Sequence, residues 1–143
     1  FSQMEEVGLR GARTAAYTVD PDAAIVLEAT TAADLHGIDE ENTVCKLGCG
    51  PAISFMDRST LYDRRLYEAA LSSSVKTQVK AAVAGGNNAG AIHLSKGGVP
   101  TLAISVPCRY IHSPSCVCSK EDIQNAFLLA KEMIEEIASG KVI

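Results

Sequence analysis

Four ionisable side chains in this chain have the types and positions to do hydrolytic chemistry. Glu5 and Glu6 are neighbours in Glu5-Glu6-Val7-Gly8-Leu9-Arg10-Gly11. Adjacent carboxylates resist ionising together, so such a pair calls for a cation between them or a proton on one of them. Glu28 lies within the apolar run Ala23-Ala24-Ile25-Val26-Leu27-Glu28-Ala29, where an unpaired buried carboxylate is expensive. His112 follows in Tyr110-Ile111-His112-Ser113-Pro114. Oxygen and nitrogen donors of this kind suit Zn²⁺, Mn²⁺ or Co²⁺. One of the adjacent glutamates would then bind metal while the other faces the bound water as a base, which is metal-assisted hydrolysis. Each residue also has a plain structural reading. A glutamate before a glycine turn is ordinarily a solvated loop charge, and His112 could be an ordinary loop histidine.

These residues need elements to carry them. Residues 23–29 read as a short strand buried on both faces, and 101–107 as another, stopped by Pro107. Val79 to Ala84 is a third candidate strand, and Phe1 to Met4 reads as the tail of a further one. Cys45 to Phe55 reads as an edge strand with its own turn. Ile123, Phe127, Ala130, Ile134 and Ile137 recur at helical spacing, which predicts an amphipathic helix over 120–138 with a cap at Ser119 to Asp122. Leu61, Leu66, Ala69 and Ala70 mark a helix near 59–74, and Ala89 to Lys96 a short one closed by Gly97 and Gly98. Alternating strands and helices imply an α/β sandwich with a mostly parallel or mixed sheet. Glu5 and Glu6, Glu28 and His112 each fall at or just past the end of a strand, on the edge where open α/β sheets bind ligands.

Composition excludes several functions. The chain has 143 residues, 47% of them hydrophobic and 21% charged, the make-up of one folded domain. A net charge of −4 without a basic run speaks against nucleic acid. No apolar stretch is long enough to cross a membrane and no leader is recognisable, so the expected location is cytoplasmic. The odd number of cysteines, 5, predicts reduced thiols, and their spacing matches no zinc knuckle.

The residues around the candidates resemble a known family. Glu5-Glu6-Val-Gly-Leu-Arg-Gly-Ala, Val26-Leu27-Glu28-Ala29-Thr30, Leu47-Gly-Cys-Gly-Pro-Ala-Ile53, Gly85-Gly-Asn-Asn-Ala-Gly-Ala-Ile-His93, Gly97-Gly-Val-Pro-Thr101 and Ser105-Val-Pro-Cys-Arg-Tyr-Ile-His-Ser-Pro114 follow one another as in the glutamyl and tetrahedral (TET) aminopeptidases. Some members of that family carry the label endoglucanase or cellulase. The resemblance implies a three-layer α/β/α sandwich of the zinc-peptidase type with a mixed sheet. Residues 1–143 would form the C-terminal portion of its catalytic domain. It further implies that Glu5 is the general base, Glu6 and His112 ligands of one metal ion, and Glu28 a ligand of another, where many relatives have aspartate. Two divalent ions (Zn, Co or Mn), a peptide substrate cleaved at its N-terminal residue, and a homo-oligomer follow as expectations.

The resemblance also marks departures. The family's His-x-Asp motif, bridging aspartate and dimerisation domain are expected in segments ahead of Phe1, so the isolated chain would be an incomplete enzyme. Relatives usually show Gly-Gly-Thr-Asp-Ala-Gly where this chain has Asn87-Asn88, which puts a supporting role at Asn88 in doubt. A non-catalytic assembly module is the competing reading. A glycoside hydrolase is a weaker one, because neighbouring glutamates cannot face each other across a sugar. His93 is expected to pack or hydrogen-bond rather than ligate. His36 and Asp34 are expected in an exposed acidic loop, Asp57 as a helix cap, and Arg109 and Tyr110 in either substrate contact or structure.

Overall fold

The structure, a computed structural model, describes residues 3–143. Its five strands are β1 (Ala24–Thr31), β2 (Ala52–Ile53), β3 (Gln78–Val79), β4 (Thr101–Arg109) and β5 (Val117–Cys118). Its α-helices are α1 (Arg10–Val19), α2 (Arg64–Ser72), α3 (Ala89–Ile92) and α4 (Lys120–Ala138). The strand order is β1-β4-β2-β3, with β5 added to the far end of β4. β1 runs parallel to β4 and β3 parallel to β2, whereas β2 and β5 are antiparallel to β4. The sheet is therefore mixed.

Alternation along β4 builds the two layers of core. Leu102 and Ile104 point to one face, where they are fully buried against Leu66 of α2 and Leu129 and Met133 of α4. Ala103 points to the other face and packs with Val26, Tyr62 and Ala89, beneath α3 and the α1 helix that leans on it. Helices on both faces of a mixed sheet make the three-layer α/β/α sandwich expected from the sequence.

Several boundaries differ from the sequence reading, each for a local reason. α1 follows the glutamate pair directly and was not anticipated, because its two buried positions, Ala12 and Ala16, make a weak apolar stripe. α2 starts at Arg64 because the Asp63 side chain accepts the Arg65 and Leu66 amides. The residues ahead of it form a tight loop. β4 continues through Pro107 to Arg109. The Cys108 carbonyl accepts the Ala32 amide, so Cys108 turns its backbone to β1 and Pro107 turns the opposite way. On that side the β2 pairing ends at Ser105 and β5 begins at Cys108, so no partner misses the proline N–H. β2 is interior rather than an edge, since β3 covers it, and the strand predicted over Val79 to Ala84 is met only at Val79, because β3 is Gln78–Val79. Gln3 and Met4 are not in a strand, and Phe1 and Ser2 lie outside the described residues.

α4 spans the predicted range and is capped by Ser119, whose hydroxyl accepts the Asp122 amide at 3.5 Å. Asp122 itself reaches away from the helix. Fully buried, it accepts the amides of Gly48 at 2.7 Å and Gly50 at 2.8 Å, fastening the turn before β2.

Candidate active site

Glu5, Glu6, Glu28 and His112 line a single cavity of about 440 Å³, together with Asn87 and Asn88. Four chain segments meet there. The turn bearing the glutamates is tied to the start of α1 by backbone hydrogen bonds from Leu9 to Glu5, Arg10 to Met4 and Gly11 to Gln3. Glu28 sits near the C-terminal end of β1, on the same face as Val26 and opposite Ser105 in register. His112 lies in the turn between β4 and β5. Tyr110 and His112 there have φ of 57° and 62°, left-handed values uncommon for non-glycine residues and enriched at functional sites.

The electrostatics differ from one carboxylate to the next. Burial raises the Glu5 carboxyl above its ordinary value, the Glu6 charge raises it further, and His112 pulls it back. A carboxyl shifted this way is a better proton acceptor than an ordinary surface glutamate. Burial likewise raises Glu28, opposed by hydrogen bonds from Ser105 and Asn87 and by the Lys80 charge. Glu6 Oε1 lies 3.5 Å from His112 Nδ1, with both side chains mostly exposed.

Whether these donors suit a metal can be judged from their chemistry and spacing. Two ligands each about 2.0 Å from one tetrahedral ion stand about 3.3 Å apart, close to the Glu6–His112 separation. Glu28 offers a further carboxylate across the same cavity. Among the described residues no group of three or more His, Cys, Asp or Glu converges closely enough to hold an ion by itself. The donors thus fit divalent metals in kind, as part of a coordination set. Among the cysteines, burial is the main cause lifting the Cys45 and Cys108 thiols to about 12. No disulfide links the five.

Other candidates prove structural. His93 Nδ1 lies 2.8 Å from the Ala89 carbonyl, a local helix contact. Arg109 forms an ion pair with Asp34, so Asp34 is not a solvated loop charge. Asp57 does not cap α2. It is buried, and Oδ1 gathers the amides of Ser59 and Thr60 while Oδ2 accepts the Tyr62 hydroxyl. Sequence reading passed over Tyr62 and Ser105 and treated Asn87 only as part of a changed motif. An acceptor such as Glu28 inside an apolar run demands donors, and that demand was the one available signal for them. Of the two asparagines, Asn87 is the one bonded to Glu28, whereas Asn88 lines the cavity with a buried, unpartnered Oδ1.

The fold and this cavity define an α/β/α sandwich with three carboxylates and an imidazole gathered at one edge of its mixed sheet. The chain belongs to the M42 glutamyl aminopeptidase family, which matches residues 1–129. It is 42% identical over 138 residues to a putative aminopeptidase of Acetivibrio thermocellus, an alignment covering 94% of this chain and 41% of that one. An aminopeptidase from the archaeon Desulfurococcus kamchatkensis superposes with a TM-score of 0.88 at 38% identity, over 92% of this chain and 39% of its own. The Pyrococcus horikoshii TET1 peptidase, described as assembling into a tetrahedron or a large octahedral shell, superposes with a TM-score of 0.70 at 30% identity, over 96% and 39%. The chain therefore spans about two fifths of the length of the relatives it matches.

Proposed function

We propose that this chain contributes the base and part of the metal-ligand set of a metal-dependent aminopeptidase. The observation that carries the reading is the meeting of Glu5, Glu6, Glu28 and His112 in one cavity, with the Glu5 carboxyl raised by burial first and by its neighbour's charge second. Glu6 and His112 would hold one divalent ion (Zn, Co or Mn) and Glu28 a second. Such ions, when bound, acidify water and polarise the scissile carbonyl. Glu5 takes a proton from the attacking water and returns it to the leaving amine, freeing the N-terminal residue of a peptide. Its adjacency to Glu6 is then useful, because a neighbouring carboxylate that engages a cation keeps Glu5 next to the reacting centre while leaving it uncoordinated. Assembly into a homo-oligomer is proposed from the shells described for the Pyrococcus horikoshii relative.

The experiment is hydrolysis of an aminoacyl-anilide by the longest form of the protein that contains residues 1–143, supplied with Zn²⁺, Co²⁺ or Mn²⁺. Glu5→Gln should lower the rate by about 10²–10⁴-fold, the usual contribution of a general base, with metal content unchanged. A Gln variant that keeps its rate removes the base assignment. A metal-loaded wild type without turnover favours the assembly-module reading instead.

A further inference from the structure

We propose that Asn87 is a positioning residue that turns Glu28 towards the metal, and that Tyr62 and Asp57 orient Asn87 from behind. The proposal rests on the reading of Glu28 as a ligand.

The geometry is directional. Ser105 Oγ donates to Glu28 Oε1 at 2.7 Å, and Asn87 Nδ2 donates to the same oxygen at 3.0 Å. Glu28 Oε2 accepts no hydrogen bond from the described side chains, which leaves it as the oxygen available to the cavity that Glu28 lines. Rotating the carboxylate would break both bonds to Oε1, so the free oxygen is held in one place.

Asn87 is itself fixed. Its Oδ1 accepts the Ala89 amide at 2.8 Å, which decides which end of the carboxamide carries the nitrogen. The second Nδ2 proton goes to the Tyr62 hydroxyl at 2.9 Å. That hydroxyl in turn donates a hydrogen bond to Asp57 Oδ2 at 2.7 Å. Asp57 is in turn anchored by the Ser59 amide at 2.7 Å, the Thr60 amide at 2.8 Å and the Ser59 hydroxyl at 3.0 Å. Asn87, Tyr62 and Asp57 are all no more than 4% exposed. Every donor meets an acceptor from backbone-anchored Asp57 to Glu28, which is the arrangement that fixes a ligand's orientation from its outer shell. A network serving the core alone would have no reason to load one Glu28 oxygen twice and leave the other empty.

The test is a titration of the longest available form of the protein with Mn²⁺, reading the electron paramagnetic resonance of the free ion, alongside thermal melting. Glu28→Gln defines the component of Mn²⁺ binding that depends on this carboxylate. Asn87→Ala should weaken that component by about 10–100-fold, the effect typical of outer-shell partners, and Tyr62→Phe by a smaller factor. Ser119→Ala removes a distant helix cap and should lower the melting temperature without changing Mn²⁺ affinity, which separates positioning from general destabilisation. If Asn87→Ala does not fold, Tyr62→Phe decides, since it keeps the packed ring. Wild-type affinity in the variants that fold, with Glu28→Gln still defective, overturns the positioning role and leaves the ligand reading intact. Wild-type affinity in Glu28→Gln, or a wild type that takes up no Mn²⁺, overturns the ligand reading and the proposal with it.

Discussion

Arg109 and Asp34 clasp each other through two parallel hydrogen bonds, Nε to Oδ1 at 2.8 Å and Nη2 to Oδ2 at 2.9 Å. Asp34 Oδ2 also accepts the Leu47 amide at 2.9 Å. The end of β4, from which the His112 turn departs, is thereby fastened to the loop after β1 and to the turn before β2. Bidentate pairing of this kind fixes geometry as well as charge. It gives Arg109 a structural task near the cavity.

The pair has a pH signature. The hydrogen bond from Arg109 is the main cause holding the Asp34 carboxyl below its ordinary value of 3.8, and the Leu47 amide adds to it. A depressed carboxyl stabilises the fold fully above its unfolded value, and that stability is lost as pH falls through the folded one. Asp34→Asn should therefore lower the melting temperature at pH 7. The difference from wild type should shrink as pH drops below 3.8 and close once Asp34 is protonated in both states. A gap that stays constant between pH 7 and pH 2 would show that packing, not charge, makes the contribution.

Glu5 supplies a second titration, in the opposite direction. Its carboxyl stands above the ordinary 4.5 because of burial first and the Glu6 charge second, while His112 draws it down. Carbon-13 NMR of the metal-free protein should find the Glu5 midpoint above 4.5. Glu6→Gln should lower that midpoint and His112→Ala should raise it. Insensitivity to both changes would mean that the three side chains do not share a field.

Much of this was legible in the sequence because each signal was strong and local. Helical spacing and the Ser119 cap marked a helix at the observed bounds of α4, but not its buried face: Ile123, Phe127 and Ile134 of the expected stripe are exposed, and Ala126, Leu129, Ala130 and Met133 face the core. The run around Glu28 marked β1, and an acid inside an apolar strand pointed to a site. What escaped depended on long-range partners. Nothing near Asp57 shows that its carboxylate will be shared between its own loop and Tyr62 rather than spent on a helix cap. α1 shows two buried alanines and no long apolar residue towards the core, so its period is faint. Asn87 could be tied to Glu28 only once the fold had closed a sequence separation of 59.

Asp122 illustrates the same point with a stability consequence. It occupies the position expected of a capping residue, yet its carboxylate serves Gly48 and Gly50 across 74 and 72 residues of sequence. Asp122→Ala would strand two amides, at least one of them buried, each worth about 1–3 kcal/mol when left unsatisfied. A loss of about 3 kcal/mol in urea unfolding is expected from those figures. Asp122→Asn keeps one acceptor oxygen and should fall between the two. Equal losses for Ala and Asn would indicate that the negative charge, not the number of acceptors, holds the turn.

The two glycines that Asp122 grips offer a contrast between conformation and space. Gly48 and Gly50 have φ of 77° and 87°, so a side chain at either is strained. That strain alone costs about 1–2 kcal/mol for a residue forced into the left-handed region. At Gly48 a Cβ would meet nothing within 4 Å, whereas at Gly50 it would run into the backbone carbonyl of Lys76, just ahead of β3. Relief there requires moving the β2–β3 pairing, because Pro51 accepts the Gln78 amide one residue on. Gly48→Ala should therefore cost about 1–2 kcal/mol, and Gly50→Ala distinctly more, both read by urea unfolding. Equal costs would show that the chain around Lys76 yields freely and that only backbone conformation selects glycine at this turn.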